Sequence, residues 1–213
     1  MKIAKTLLLF FVATLSAHAT STLTFGSSSI FATNWADDTG AGGSLLAWGI
    51  LIDTTGNGIS PNLYEGFNYS TGLQVLSTSS GVTDDVLFIG TAGSLMTLTT
   101  NANDGGAIGL NRIGAIAGVP YTNGVSLGDT FSIIWFNKTT LGGTASAGEK
   151  YGVYQNAALV LPADGTASQP YTSVFTGADT LKTQGFTVAG VPEPSVALLG
   201  AVGVIGLLRR RRN

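Results

Sequence analysis

The sequence predicts an all-β fold: an antiparallel β-sandwich or jelly-roll-like domain set between two terminal segments of a different character. Three observations carry this. Short runs rich in β-branched and aromatic residues recur along residues 20–177. Gly, Asn and Asp turn signals separate them, and no strong helical period spans any stretch between them. The chain has 213 residues, of which 10% are charged, against roughly 25% in an ordinary domain. Thirty glycines and many Thr and Ser give a low-charge chain, but 44% hydrophobic residues are enough to fill a core.

Ser21–Phe25 alternates polar and apolar, as a half-buried strand does. Leu45–Ile52 is a longer apolar run that ends at Asp53. Asp85–Ile89 and Leu95–Thr99, separated by Gly90–Ser94, predict a hairpin. Thr130–Phe136 is aromatic and β-branched throughout most of its length. Lys150–Tyr154 and Ala157–Leu161 continue the series, and Gly185–Val188 is the last candidate strand. Turns are expected at Gly56-Asn57-Gly58, Asp104-Gly105-Gly106, Asn123-Gly124, Gly142-Gly143 and Asp164-Gly165. Ala107–Ala117 is ambiguous and admits a short helix. Residues 178–190 are expected to form a linker or stalk.

Residues 1–19 have a different pattern. Lys2 and Lys5 precede the apolar run Thr6–Leu15, and Ala17-His18-Ala19 is a small-x-small cleavage pattern with Ala17 and Ala19 at the small positions. This is the order of a secretory signal peptide, cut by a signal peptidase to leave a chain beginning near Thr20.

Residues 191–213 have a third character. In Val191-Pro192-Glu193-Pro194 the two prolines exclude helix and strand pairing and leave an extended backbone, the form in which a protease takes its substrate. Residues 196–208 are wholly apolar. As a helix they reach about 20 Å, short of the roughly 30 Å hydrocarbon core, a gap that snorkelling and local thinning can close. Arg209, Arg210, Arg211 and Arg212 then stop transfer and hold the end on the cytoplasmic side.

A Val-Pro-Glu-Pro motif, a short apolar helix and an arginine cluster, in that order, resemble the PEP-CTERM sorting signal. The resemblance covers residues 191–213. It implies that the chain is a substrate of exosortase, a membrane-embedded cysteine transpeptidase or protease of Gram-negative bacteria, with Pro192, Glu193 and Pro194 as the recognised residues. It implies a route as well: export, an inner-membrane anchored precursor, then the cell surface or extracellular matrix, often in company with polysaccharide. It names no activity for residues 20–177.

Composition narrows that activity. Six of the ten basic residues lie in the terminal segments, so the central region sets four basic residues against eleven acidic ones, a net charge of −7. Such a surface repels phosphate backbones, and no nucleic-acid partner is expected. Cysteine is absent, and the single histidine, His18, precedes the cleavage site. The exported chain therefore lacks the residues of Ser-His-Asp and Cys-His catalysis and of ordinary zinc sites. The first expectation is a non-enzymatic structural protein of the surface or matrix.

The second is a carbohydrate-binding module, with or without the assistance of calcium. Trp35, in the polar context Asn34-Trp35-Ala36-Asp37-Asp38, is the candidate ligand contact, while Trp48 and Trp135 lie in apolar strands and belong to the core. Asp53–Gly58 has too few carboxylates for a calcium loop and reads better as a tight turn, and no metal or other cofactor is expected. Asp37-Asp38, Asp84-Asp85 and Asp104 are acidic loop residues that more often face solvent than a metal. A glycoside hydrolase, which needs two carboxylates across a bond, is the least favoured reading; Glu65 and Glu149 are the two glutamates of the central region.

Overall fold

The computed structural model describes residues 20–25, 32–40, 45–59, 62–76, 85–90, 95–98, 111–162, 168–175 and 181–191. They form an all-β, sandwich-like domain, as the sequence predicts. Twelve strands are present among them: β1 Thr20–Thr24, β2 Ala32–Trp35, β3 Ala47–Ile52, β4 Gly72–Val75, β5 Val86–Ile89, β6 Thr97–Leu98, β7 Asn111–Ile113, β8 Ala115–Pro120, β9 Phe131–Phe136, β10 Lys150–Tyr154, β11 Ser168–Pro170 and β12 Phe186–Thr187. A single 3-10 turn, Thr172–Phe175, is the helical element among the described residues.

A six-stranded antiparallel sheet in the order β12-β10-β9-β3-β5-β4 is the backbone of the domain. Two three-stranded sheets, β11-β1-β8 and β2-β7-β6, pack on one of its faces. There Trp48, Ile50, Ile52, Phe88, Ile133 and Trp135 of the large sheet meet Leu23 of β1, Ile116 of β8, Trp35 of β2 and Ile113 of β7. The opposite face is covered by irregular chain: Leu63, Phe67 and Tyr69 lie over Leu51, Leu87, Ile134 and Phe136. Cover on both faces explains why every residue of β3, β5 and β9 is buried and why, Ser132 of β9 aside, the three strands are apolar along their length. β1 belongs to an outer sheet and keeps the predicted alternation.

Four details differ from the sequence-based expectation. Asp85–Ile89 and Leu95–Thr99 do not form a hairpin. β5 is buried on both faces and takes β3 and β4 as its neighbours, while β6 pairs with β7 in a different sheet. From Asn111 onward the ambiguous segment 107–117 is extended, as β7 and the start of β8. Ala157–Leu161 contributes one bridge, Val160 to Thr130, rather than a strand. The pairing of β1 with β11 is parallel, whereas the other strand pairs among the described residues are antiparallel; the isolated bridges Trp35–Lys182 and Tyr64–Ala189 are parallel too.

Candidate functional site: the junction with the C-terminal tail

The segment expected as a stalk is, from Leu181 on, stitched to the domain. The Lys182 carbonyl accepts from Ala36 N at 2.9 Å, and Lys182 bridges Trp35 in parallel. The Lys182 ammonium stands 5.2 Å from the Trp35 ring centroid, 5.5 Å from that of Tyr154 and 6.0 Å from that of Phe175. Three ring faces thus surround one cation. β12 then adds to the edge of β10, with Lys150 opposite Thr187 and Tyr151 opposite Phe186. Val188 is buried in the second apolar cluster. Its amide donates to the Glu149 carbonyl at 2.9 Å, and its carbonyl accepts from Gly148 N at 2.9 Å. Ala189 follows, donating to the Leu63 carbonyl at 2.8 Å and accepting from Glu65 N at 2.9 Å.

Both glutamates of the central region meet at this junction. Glu65 Oε1 accepts from the amide of Val191, the first residue of the Val-Pro-Glu-Pro motif, at 3.2 Å, and Oε2 accepts from Ala147 N at 3.2 Å. Glu149 Oε1 receives Lys138 Nζ at 2.6 Å, and Oε2 receives the Tyr69 hydroxyl. Lys138 Nζ also lies 5.1 Å from the Tyr69 ring centroid. Burial pushes the Glu149 carboxyl up. The hydrogen bonds from Lys138, Tyr69 and the Ser146 backbone and the Lys138 charge outweigh it, and the carboxyl sits below its ordinary range. Tyr69 is raised above the ordinary tyrosine value by burial first, then by its bond to Glu149 and that residue's charge. A glycosidase acid must carry its proton at working pH, whereas the neighbours of Glu149 hold it ionised. What the two carboxylates do here is fasten chain.

Trp35 requires a correction. It is fully buried, edge-to-face against Trp135 with centroids 4.6 Å apart, and has no face for a sugar. Trp135 Nε1 donates to the Ala36 carbonyl at 2.9 Å, which draws the Trp35–Ala36 backbone onto the central sheet. Trp48 and Trp135 are buried, as expected. In the Asp53–Gly58 loop, Asp53 Oδ1 accepts from Thr55 N at 3.2 Å and Gly56 N at 2.7 Å, and Oδ2 from Gly58 N at 2.8 Å. Both glycines have positive φ, 72° and 91°, so this is a tight turn held by its aspartate. Asp37 Oδ1 likewise accepts from Thr39 N and Thr39 Oγ1. Among the described residues no group of three or more His, Cys, Asp or Glu is arranged to hold a metal ion.

Ala17, Ala19, Pro192, Glu193, Pro194, Arg209, Arg210, Arg211 and Arg212, the apolar run 196–208, and Asp84 and Asp104 lie outside the described residues. Among the described residues no helix is long and apolar enough to cross a membrane. The junction itself was missed from sequence. Its one cue is the pair of lone glutamates, each beside a glycine, in a chain poor in charge. No family model, no curated protein and no solved structure matches the chain.

Proposed function

We propose that this chain is an exported, non-enzymatic surface or matrix protein, delivered through a PEP-CTERM-type tail that is itself the substrate of an exosortase-type membrane protease or transpeptidase. The order of residues from Val191 to Arg212 carries this reading: an extended Pro-Glu-Pro segment, a short apolar run and a positive stop. The N-terminal signal peptide, removed by signal peptidase, supplies entry to the export route. The precursor sits in the inner membrane with residues 20–191 outside. Processing near Pro194 then releases or transfers a β-sandwich whose acidic surface faces water and polysaccharide.

Two features of the domain support the reading. The described fold reaches Val191 through the Glu65 and Ala189 bonds, so a cut within Pro192–Pro194 leaves each of these bonds in place. The described carboxylates at the junction are occupied by amides, a lysine and a tyrosine rather than left open to a substrate. The test is the C-terminal mass of the protein recovered from its native host, with and without the sorting protease. A terminus near Pro194 that depends on the protease is the expected result. A terminus at Asn213 in both strains would leave a plain membrane-anchored protein.

A further inference from the structure

On the N-terminal side of the proposed processing motif, the domain holds the chain by its backbone. Val188 N and O are bonded to Glu149 and Gly148, Ala189 N and O to Leu63 and Glu65, and Val191 N donates to Glu65 Oε1. The Val188 side chain is buried. An enzyme that takes an extended strand engages backbone groups beside the bond it cuts, and here those groups are already in use. Glu65 is the side chain that completes the hold. Its second oxygen accepts from Ala147 N and so ties Val191 to a separate loop.

Reach sets a second constraint. Residues 192–195 separate Val191 from the apolar run that begins at Val196. Four residues span at most about 14 Å fully extended, little more than the roughly 10–12 Å diameter of one helix. With Val191 docked, a membrane enzyme has room for about one layer of chain between the domain and the apolar run. Freed from Leu181 onward, the same connection has fifteen residues and a reach of about 50 Å.

The segment also carries a fault that favours release. Gln184 is 5% exposed, and neither its amide nitrogen nor its amide oxygen has a hydrogen-bond partner among the described residues. Its backbone N donates to the Asp37 carbonyl at 3.4 Å, a long bond. Buried amides are ordinarily paired, and water satisfies this one as soon as the segment lifts. The penalty therefore falls on the docked state alone.

We propose that Leu181–Val191 is a releasable strap, that the tail is processed through its undocked form, and that Glu65 is a positioning residue whose grip on Val191 sets how often that form occurs. The proposal rests on the sorting reading and adds a conformational step that limits its rate. Local opening of an edge segment, well short of global unfolding, supplies the step.

The test has two arms, both on the full chain. In detergent, hydrogen exchange at the Ala189 and Val191 amides reports release of the strap with no enzyme present. In the native host, pulse labelling reports the rate at which the tail is lost. Glu65→Ala should raise exchange at Val191 and speed processing by a similar factor, about tenfold, with Glu65→Gln, which keeps one acceptor, between it and the parent. Gln184→Met deletes the unpaired amide at nearly constant volume. It should act in the opposite sense, raising the urea midpoint while slowing both exchange and processing. A spacer of about ten Gly and Ser residues between Val191 and Pro192, with a mean reach of roughly 18 Å, should speed processing with exchange and midpoint unaltered. Equal processing of the parent, the spacer variant and Glu65→Ala would overturn the strap as a gate and leave the sorting reading standing. Slower processing of the spacer variant would also sink it, since the enzyme would then be reading a fixed distance from the domain. Exchange at Ala189 and Val191 of the parent as fast as in an unfolded chain would remove the docked strap itself. Retention of the tail in every variant would dispose of the sorting reading and this step together.

Discussion

At Glu149 three neighbours oppose one penalty. Burial disfavours its charge, and Lys138, Tyr69 and the Ser146 backbone restore it, so the folded chain holds this carboxyl below its ordinary 4.5. The stability that comes from this is complete above pH 4.5 and is lost as pH falls through the lowered folded value. Tyr69, Tyr151 and Tyr171 lie on the other side: burial raises all three above 10, the Leu63 amide partly offsetting it at Tyr151 and the Tyr121 charge adding to it at Tyr171. Their contribution is present below pH 10 and is lost as pH rises beyond it. Urea midpoints measured against pH should therefore fall below pH 4.5 and above pH 10. Glu149→Gln should flatten the acid limb and cost about 1 kcal/mol at neutral pH, since the Lys138–Glu149 pair is partly exposed. An acid limb unchanged by that substitution would place the linkage elsewhere. Trp35 shows what single residues conceal from sequence. Its context is polar, and a four-residue strand is too short to show a period. What buries it is Trp135, one hundred positions away.

Elements were legible where burial leaves a pattern in the chain. β3, β9 and β10 are close to their sequence expectations because a strand covered on both faces must be apolar along its length, and β10 lies beside such a strand. β4 and β8 were not legible: Gly-Leu-Gln-Val and Ala-Ile-Ala-Gly-Val-Pro are short or built of small residues and sit outside the middle of their sheets or half-buried. Partner choice was not legible either, since β5 and β6 are neighbours in sequence and join different sheets. One element pair depends on a missing side chain. In β10, Gly152 is opposite Trp135 of β9, and a Cβ there would stand 2.1 Å from Trp135 Cζ2. The indole lies across the glycine backbone. Gly152→Ala must push the ring, and with it the Trp35 contact, and should cost about 1–3 kcal/mol by overpacking. Combining it with Trp135→Leu should recover part of that loss, which chemical denaturation of the two single variants and the double variant would show. A Gly152→Ala chain as stable as the parent would mean that strand β10 can retreat from the indole without loss.

At the scale of the whole molecule, the question is where the domain ends. Composition suggests an end near residue 177, where the strand signals give way to small polar residues. The described bonds carry it at least to Val191. Between the two limits lie the Lys182 cation among three rings, the edge strand β12, the buried Val188 and the backbone pairs of Ala36, Gly148, Leu63 and Glu65. Burying Val188 is worth about 1.5–3 kcal/mol, the cation–ring contacts about 1 kcal/mol, and each backbone bond a net of about 1 kcal/mol. Their sum, several kcal/mol, is a large part of the roughly 5–15 kcal/mol that an ordinary domain possesses. A chain of residues 20–191 should unfold in one cooperative transition. A chain of residues 20–180 should unfold at a clearly lower urea midpoint with a smaller denaturant slope, because the sheet has lost an edge and Leu63 and Glu65 have lost their partner segment. Equal midpoints for the two chains would show that 181–191 is an ornament on a finished fold. A lower midpoint for the shorter one has a consequence for sorting. A protease cutting beyond Val191 leaves every described contact of the segment in place, whereas one cutting before Leu181 removes them all, so the bond from Val191 to Glu65 sets the earliest point at which the tail can be removed without loss of those contacts.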